Sequence, residues 1–380
     1  MKITKVQGFM VGFDCEPPLG NARGMIRRRE FLLVAIETEA GHLGWGEVFN
    51  APWAANDYVK NKIAPLLLGR SVLDRLPLYE AMNGLLAYDR RGASRMAQSA
   101  VDMALHDAAG QVLGQSLSQM LGGALRDRVF AYASGPFINI EHGYQDYPGQ
   151  VDALLGKNFR ALKPRAGLSP REDGRMVRDL RRQVGDDIGL MVDVNQGYTR
   201  AAAIEAVRQM EEVGLLWIEE PLPPEDLQGY AALASHARVP LAGGEALGSL
   251  ASFRELLSTN AMSVLQPDPT VCGGVTGYMQ VAAIAAANDI PAIPHSFGTR
   301  VGALTSLHLA AVQPTRRIAE PADYPFVELD ITANPLLETP SLAIGPDGCI
   351  LLPDAPGIGL ELRPSELAPW MISHWCVDRK

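Results

Sequence analysis

Six ionisable residues recur along the second half of the chain at nearly constant intervals. They are Asp193, Glu219, Glu245, Asp268, His295 and Glu320, separated by 26, 26, 23, 27 and 25 residues. Each sits at the end of a short apolar run, in VDVN, WIEE, AGGE, LQPD, IPHS and IAEP. Spacing this regular places one polar side chain at the C-terminal end of each of six consecutive parallel strands, where α/β barrels assemble their active sites. Helix N-caps are the competing explanation for any one of them, but caps draw on Ser and Asn as well and fall after the strand, not in it.

The residue types point to a particular chemistry. Asp193, Glu219 and Glu245 come from neighbouring strands, and three like charges gathered in a water-poor cavity need a cation to neutralise them. Hard oxygen ligands without Cys or His select Mg²⁺, with Mn²⁺ as the alternative, over zinc, and leave coordination positions open to a substrate carboxylate. His295 lies one strand beyond Asp268, a carboxylate placed to fix the imidazole tautomer and make it a general base. Glu320, on the next strand, is expected to hydrogen-bond a developing enolate oxygen through a protonated carboxyl.

These side chains need a scaffold, and the chain supplies one. After Arg126 come VFAYAS, ALKPRA, IGLMVDVN, GLLWIEEP, PLAGGE, MSVLQPD, IPAIPHS and RRIAEP, each followed by a polar loop and a helical pattern. Near-continuous apolar runs of this kind are strands buried on both faces. Eight units in about 200 residues predict an α/β fold with a TIM-like (β/α)₈ barrel over residues 126–355. The usual dinucleotide glycine fingerprint is absent, which argues against stacked Rossmann halves. Residues 1–125 read differently: strands at ITKVQGFMVGF, FLLVAIET and LGWGEV, then helical spacing up to Gly122 and Gly123, an α+β capping domain.

Composition narrows the partners. With 380 residues and 47% hydrophobic content the chain can fill more than one core, and a net charge of -9 argues against a nucleic-acid partner. The one dense basic run, Arg27, Arg28 and Arg29, reads as a solvated loop or strand edge. Four widely spaced cysteines fit free thiols in a reducing compartment. MKITKVQGFM lacks a signal-like apolar stretch and no uncharged run reaches the roughly 18 residues of a membrane span, so a cytoplasmic protein without membrane contact is expected.

Taken together, VDVNQGYT, WIEEPL, GGE, LQPD, GGVTG and PHS resemble the barrel of the mandelate racemase subgroup of the enolase superfamily. GWGE and SAVDMALHDAAGQVLGQSLSQMLGG are similar to that family's capping domain, so the resemblance spans nearly the whole chain. It implies that Asp193, Glu219 and Glu245 hold Mg²⁺, that His295 with Asp268 is a base on one face of a small carboxylate substrate, and that Glu320 is an electrophilic partner. The superfamily's shared chemistry, a Lys or His base with magnesium stabilising an ene-diolate, comes with the resemblance and not from spacing. It further implies that residues 356–380 return to the cap, that Asn195 contacts substrate, that cap loops bring Arg23 and Trp53 over the barrel mouth, and that the chain forms a homo-oligomer, a dimer or an octamer.

One position departs from the pattern. The second barrel strand of this subgroup carries Lys-x-Lys, the second lysine serving as a base opposite the histidine; here the residues are Lys163, Pro164 and Arg165. Arginine keeps its proton far above neutral pH, so Arg165 reads as a cation that binds and polarises substrate, with Lys163 beside it and able to act as base only if the strand is displaced. Racemisation needs competent bases on both faces, whereas one imidazole can take an α-proton and then protonate a departing β-hydroxyl. The expectation is therefore a lyase that dehydrates a sugar acid to a 2-keto-3-deoxy acid. The alternative is an isomerase, either a racemase or epimerase of a hydroxy or amino acid or a cycloisomerase of a sugar lactone.

Overall fold

The protein is seen in a computed structural model that describes residues 1–314 and 326–378. Strands β1 (Ile3–Asn21), β2 (Gly24–Thr38) and β3 (Leu43–Val48) make an antiparallel sheet, and the C-terminal strand Met371–Asp378 adds to its free edge along β1. The run Phe31–Ile36 is buried throughout because both faces of the sheet are covered. Phe31, Leu33 and Ala35, with Trp45 across the ladder, pack into the core shared with the barrel, while Leu32, Val34 and Ile36 pack against the cap helices. The long helix α1 (Ala93–Leu113) lies so close to β3 that a Cβ on Gly46 would stand 1.8 Å from the Ala100 carbonyl oxygen, which accounts for the glycines of GWGE.

The barrel strands follow in the expected order: β4 (Arg128–Ser134), β5 (Ala161–Lys163), β6 (Gly189–Leu190) with β7 (Val192–Asp193), β8 (Ile218–Glu219), β9 (Leu241–Gly243) and β10 (Val264–Leu265). Residues 291–295 take the seventh position through the Leu265–Ala292 bridge. The strand that pairs with β4 among the described residues is β11 (Phe326–Asp330), parallel to it. RRIAEP and with it Glu320 lie outside the described residues. A regular interval near 25 residues pointed to RRIAEP; among the described residues FVELD is the segment that pairs with β4.

Strand periodicity sets what lies inside. One side chain from each position, Tyr132, Ala161, Met191, Trp217, Ala242, Val264, Ile293 and Phe326, forms a dry layer across the barrel, each no more than 2% exposed. Two residues further along, the side chains that return to the interior are Ser134, Lys163, Asp193, Glu219, Gln266, His295 and Glu328, with Gly244 at the remaining place. An apolar floor thus carries a polar layer. Helix starts are served by other residues: Ser169, Thr199, Asp226, Ser249 and Thr299 cap five helices through their side chains, and Asp193, Glu219, Glu245, Asp268 and His295 cap none of the described helices.

Arg29 corrects one expectation. It is only 6% exposed and pairs with Asp330 at the end of β11, because alternation along β2 turns it to the barrel with Phe31 and Leu33. Among the described residues no helix is long and apolar enough to cross a membrane.

In helix α2 (Arg300–Ala311), which packs on β11, burial pushes the pKa of His308 down to about 4. This lies below the unfolded value of about 6.5, so the stability belonging to the neutral imidazole is complete above that pH and is lost as pH falls toward 4. Urea denaturation should show a loss on the order of 3 kcal/mol between pH 7 and pH 4 that is absent in a folded His308→Leu variant; equal losses in both proteins would refute the assignment.

Candidate active site

The parallel register places Asp193 beside Glu219, and Glu219 beside Ala242, so these carboxylates line up on adjacent strand ends. Glu245 follows two residues after β9, past Gly244 with φ +120°, and opens to the cavity with its side chain 21% exposed. His295 joins the two halves of the site. Its Nδ1 is 2.6 Å from Asp268 Oδ2, its Nε2 is 3.1 Å from Glu245 Oε2, and the same nitrogen is 3.9 Å from Glu328 Oε2. Asp268 is itself held by the Thr270 amide and hydroxyl, each donating at 2.6 Å.

The second strand supplies two cations. Lys163 is fully buried between Glu219 Oε1 at 2.5 Å and Glu328 Oε1 at 2.8 Å, and lies over the Tyr132 ring. Arg165 pairs with Asp193, donates to Ser134 Oγ at 2.8 Å and faces the Phe137 ring. Burial alone would lower the lysine pKa, but the Glu219 and Glu328 carboxylates outweigh it and raise it, so the ammonium is held as a cation. Burial would likewise depress His295, yet Glu245, Glu328 and Asp268 together lift it to about 10. Glu328 is held well below the usual carboxylate range: burial opposes this, and Lys163, His295 and Arg165 overcome it.

Glu328 was not anticipated from the sequence. It occupies the place on the eighth strand that Glu320 was expected to fill, and the available signal was an acid between apolar residues in FVELD, two residues beyond a floor position. Glu220 was missed as well. It is 1% exposed, accepts from Gln196 Nε2 at 2.7 Å, and its Oε1 has no hydrogen-bond partner among the described residues. Burial, with Glu245 and Glu219 nearby, pushes its carboxyl well up. Asn195, Gln196 and Glu220 all have positive φ, at 48°, 63° and 37°, so three non-glycine residues at adjacent strand ends carry the backbone strain that gathers at functional sites.

A cavity of about 350 Å³ opens above these groups. Its barrel wall includes Arg165, Asn195, Gln196, Glu220, Glu245, His295 and Phe297, and the cap contributes Asn21, Arg23, Met25, Phe49 and Asn50. Arg23 is thus at the mouth, 3.4 Å from Gln196 Oε1. Asn195 also lines it, while its amide groups brace Asp193 at 2.7 and 2.9 Å. Trp53 is not among the residues lining it; its half-exposed indole donates to Glu30 at 2.6 Å. A larger groove of about 570 Å³ shares Met25 and Phe137 with this cavity but none of the groups that could do chemistry.

Among the described residues no three acidic, imidazole or thiol side chains gather in the arrangement of a metal centre. Each expected ligand is turned to a cation of its own: Asp193 to Arg165, Glu219 to Lys163, Glu245 to His295. The donor chemistry nevertheless fits a hard divalent ion. Among the described residues six carboxyl groups, from Asp193, Glu219, Glu220, Glu245, Asp268 and Glu328, share the site with three cations, Lys163, Arg165 and His295, and the Glu220 Oε1 and Asn195 Oδ1 oxygens have no donor. Such an excess of enclosed negative charge calls for protons or a cation, and all-oxygen donors favour magnesium-like ions.

A cap over a (β/α)₈ barrel whose interior strand ends carry acids, a lysine and an Asp-paired histidine defines a class, and the comparisons agree. Residues 147–366 match the enolase C-terminal domain-like family and residues 3–122 match the N-terminal domain of the mandelate racemase/muconate lactonizing enzymes. The chain belongs to this branch of the enolase superfamily. It is 33% identical to the D-galactarolactone cycloisomerase of Agrobacterium fabrum, over 97% of this chain and 98% of that one. It is 28% identical to the arabinonate dehydratase of Saccharolobus solfataricus, with 88% of each covered. The crystal structure of L-talarate dehydratase from Polaromonas sp. JS666, complexed with Mg and L-glucarate, superposes with a TM-score of 0.85 at 28% identity, covering all of both chains. Its relatives are thus acid-sugar dehydratases and cycloisomerases, and solved neighbours hold magnesium.

Removing the lysine tests the charge balance. Lys163→Met leaves Glu219 and Glu328 buried without their shared cation and should destabilise the metal-free protein by about 3–5 kcal/mol in denaturant titrations; a change below about 1 kcal/mol would show that the pairing carries no such weight.

Proposed function

We propose that this chain is a magnesium-dependent enzyme that removes the proton α to the carboxylate of a hydroxylated acid and expels an oxygen from the β-carbon, dehydrating a sugar acid to a 2-keto-3-deoxy acid. The observation that carries the reading is that His295 alone among the three cations is placed to give up its proton. It lines the cavity with Nδ1 fixed by Asp268 and Nε2 turned to Glu245, a pairing it would lose were Glu245 to hold a metal ion, whereas Lys163 is locked between two carboxylates and Arg165 is paired with Asp193. A single imidazole suits elimination better than racemisation, which needs proton transfer on both faces of the α-carbon.

On this reading Asp193, Glu219 and Glu245 hold the magnesium ion, which when bound stabilises negative charge on the substrate carboxylate. His295 Nε2 takes the α-proton; Asp268 keeps the ring oriented and supports the imidazolium. His295 then returns a proton to the leaving β-oxygen. Arg165, with Phe137 and Phe297 about its guanidinium, orients the substrate anion. Asn195, Glu220 and Gln196 meet hydroxyl groups, and Arg23 reaches down from the cap to the distal end. Glu328, ionised beside Lys163 and His295, balances their positive charges and is not the protonated hydrogen-bond donor expected of Glu320. Lys163 serves as an electrostatic partner.

Ring opening of a lactone is the second reading, favoured by the near full-length similarity to a galactarolactone cycloisomerase. It uses the same α-proton transfer with a ring oxygen as the β-leaving group.

Proton NMR in D₂O with Mg²⁺, run on a panel of aldonates, aldarates and their lactones, separates these outcomes. A new keto acid with loss of water supports dehydration, and a ring-opened isomer supports the second reading. Exchange of the α-proton with retention of every oxygen would instead place the chain with the racemases. His295→Asn should lower turnover by about 10²–10⁴-fold while Mg²⁺ still raises the melting temperature. An active His295→Asn protein would exclude the imidazole as the base.

A further inference from the structure

The loop that follows His295 is gripped from the cap. Alternation along β2 points Arg29 toward the barrel, and Glu47, paired with Leu33 across the β2–β3 ladder, shares that face. Arg29 donates to the Phe297 carbonyl at 2.5 Å and to Asp330 Oδ2 at 2.5 Å, and its guanidinium lies 4.0 Å from the centre of the Phe297 ring. Glu47, fully buried, accepts from the Thr299 amide at 3.1 Å and from the Thr299 hydroxyl. Between them the Gly298 carbonyl accepts from Asn334 Nδ2 at 2.8 Å. Three successive residues after His295–Ser296 are therefore held one by one, and Phe49, two residues beyond Glu47, meets the His295 ring at 5.8 Å.

The sequence is shaped to this grip. A Cβ on Gly298 would stand 1.7 Å from Glu47 Oε1, and one on Gly302 2.5 Å, so both glycines leave room for the carboxylate. Thr299 is also the N-cap of α2, which ties the loop to the start of that helix. Both charged groups are removed from water, Arg29 being neutralised by Asp330. Burial raises the Glu47 pKa to about 7 against the Thr299 and Gly302 bonds that lower it, so its hydrogen bonds bear much of the burden of keeping it in place.

We propose that Arg29 and Glu47 are positioning residues through which the cap sets the orientation of His295 in the barrel. The proposal rests on His295 being the base. A cap that only shields the site from water would have no need to hold the main chain of the base's own loop, whereas a misplacement of about 1 Å at a proton-transferring group can change rates by about 100-fold.

The test uses the magnesium-loaded full chain as parent, Arg29→Met, Arg29→Lys and Glu47→Gln. Histidine side-chain ¹⁵N resonances, with that of His295 identified by its absence in His295→Asn, report on the imidazole without any substrate. In Arg29→Met and Glu47→Gln the His295 signals should shift, while those of the exposed His142 and His236 stay in place. On an acid that the parent turns over, kcat should fall about tenfold or more with KM within about twofold, and Arg29→Lys should recover part of the loss. Unchanged His295 signals in the folded variants would overturn the proposal whether or not a substrate is known. A parent that turns over nothing in the panel bears on the elimination reading alone. Glu47→Gln preserves volume and acceptor, so it carries the test by itself if Arg29→Met does not fold.

Discussion

Two residues along a β-strand return a side chain to the same face, and in a closed barrel that step lifts the chain from a dry floor to a layer of charge. Below are Tyr132, Trp217, Phe326 and their neighbours; above are Lys163, Asp193, Glu219, His295 and Glu328. Charges held so far from water must neutralise one another, because two unit charges about 4 Å apart interact by about 4 kcal/mol even at an effective dielectric near 20. The arrangement of the whole site follows from this. Lys163 bridges two acids from strands that are not neighbours, His295 bridges two more, and Arg165 takes Asp193.

That constraint also explains the departure from the family's second lysine. A cation at position 165 is wanted by Asp193 whatever its chemistry, so replacing lysine by arginine keeps the charge and gives up the proton acceptor. The two functions a lysine can serve there are separated by the substitution, and only the electrostatic one remains. The same logic accounts for Lys163: a group that must stay charged to hold Glu219 and Glu328 together has little freedom to act as a base.

Much of this was legible in the residues. The periodic acids identified the strand ends because the βα unit has a nearly constant length, and residue type then pointed to hard-metal and imidazole chemistry. Glu328 marks where that reasoning stops. Interval favoured Glu320, which lies outside the described residues, while FVELD is the described segment that pairs with β4, and no spacing rule contains that pairing. Arg29 failed for a related reason. A run of three arginines looks solvated as composition, but alternation in a strand covered on both faces sends one of them inward. Trp53 and Arg23 depended on how the cap loops drape, which is set by tertiary contacts such as those of Glu30 and Gln196 and not by local pattern.

Cap and barrel divide the chemistry on the reading proposed here. Proton removal depends on groups that belong to the barrel strands and that share one charge balance, so it is common to every substrate the cavity admits. The identity of the expelled oxygen, hydroxyl or ring, depends instead on how the substrate lies between Arg165 and the cap residues Asn21, Arg23, Met25 and Asn50. Because Phe49 touches the imidazole from the same cap sheet, a change in the cap reaches both ends of that choice: the space for the substrate and the direction of Nε2. On that reading one set of barrel residues serves either dehydration or ring opening, and the loop above decides between them.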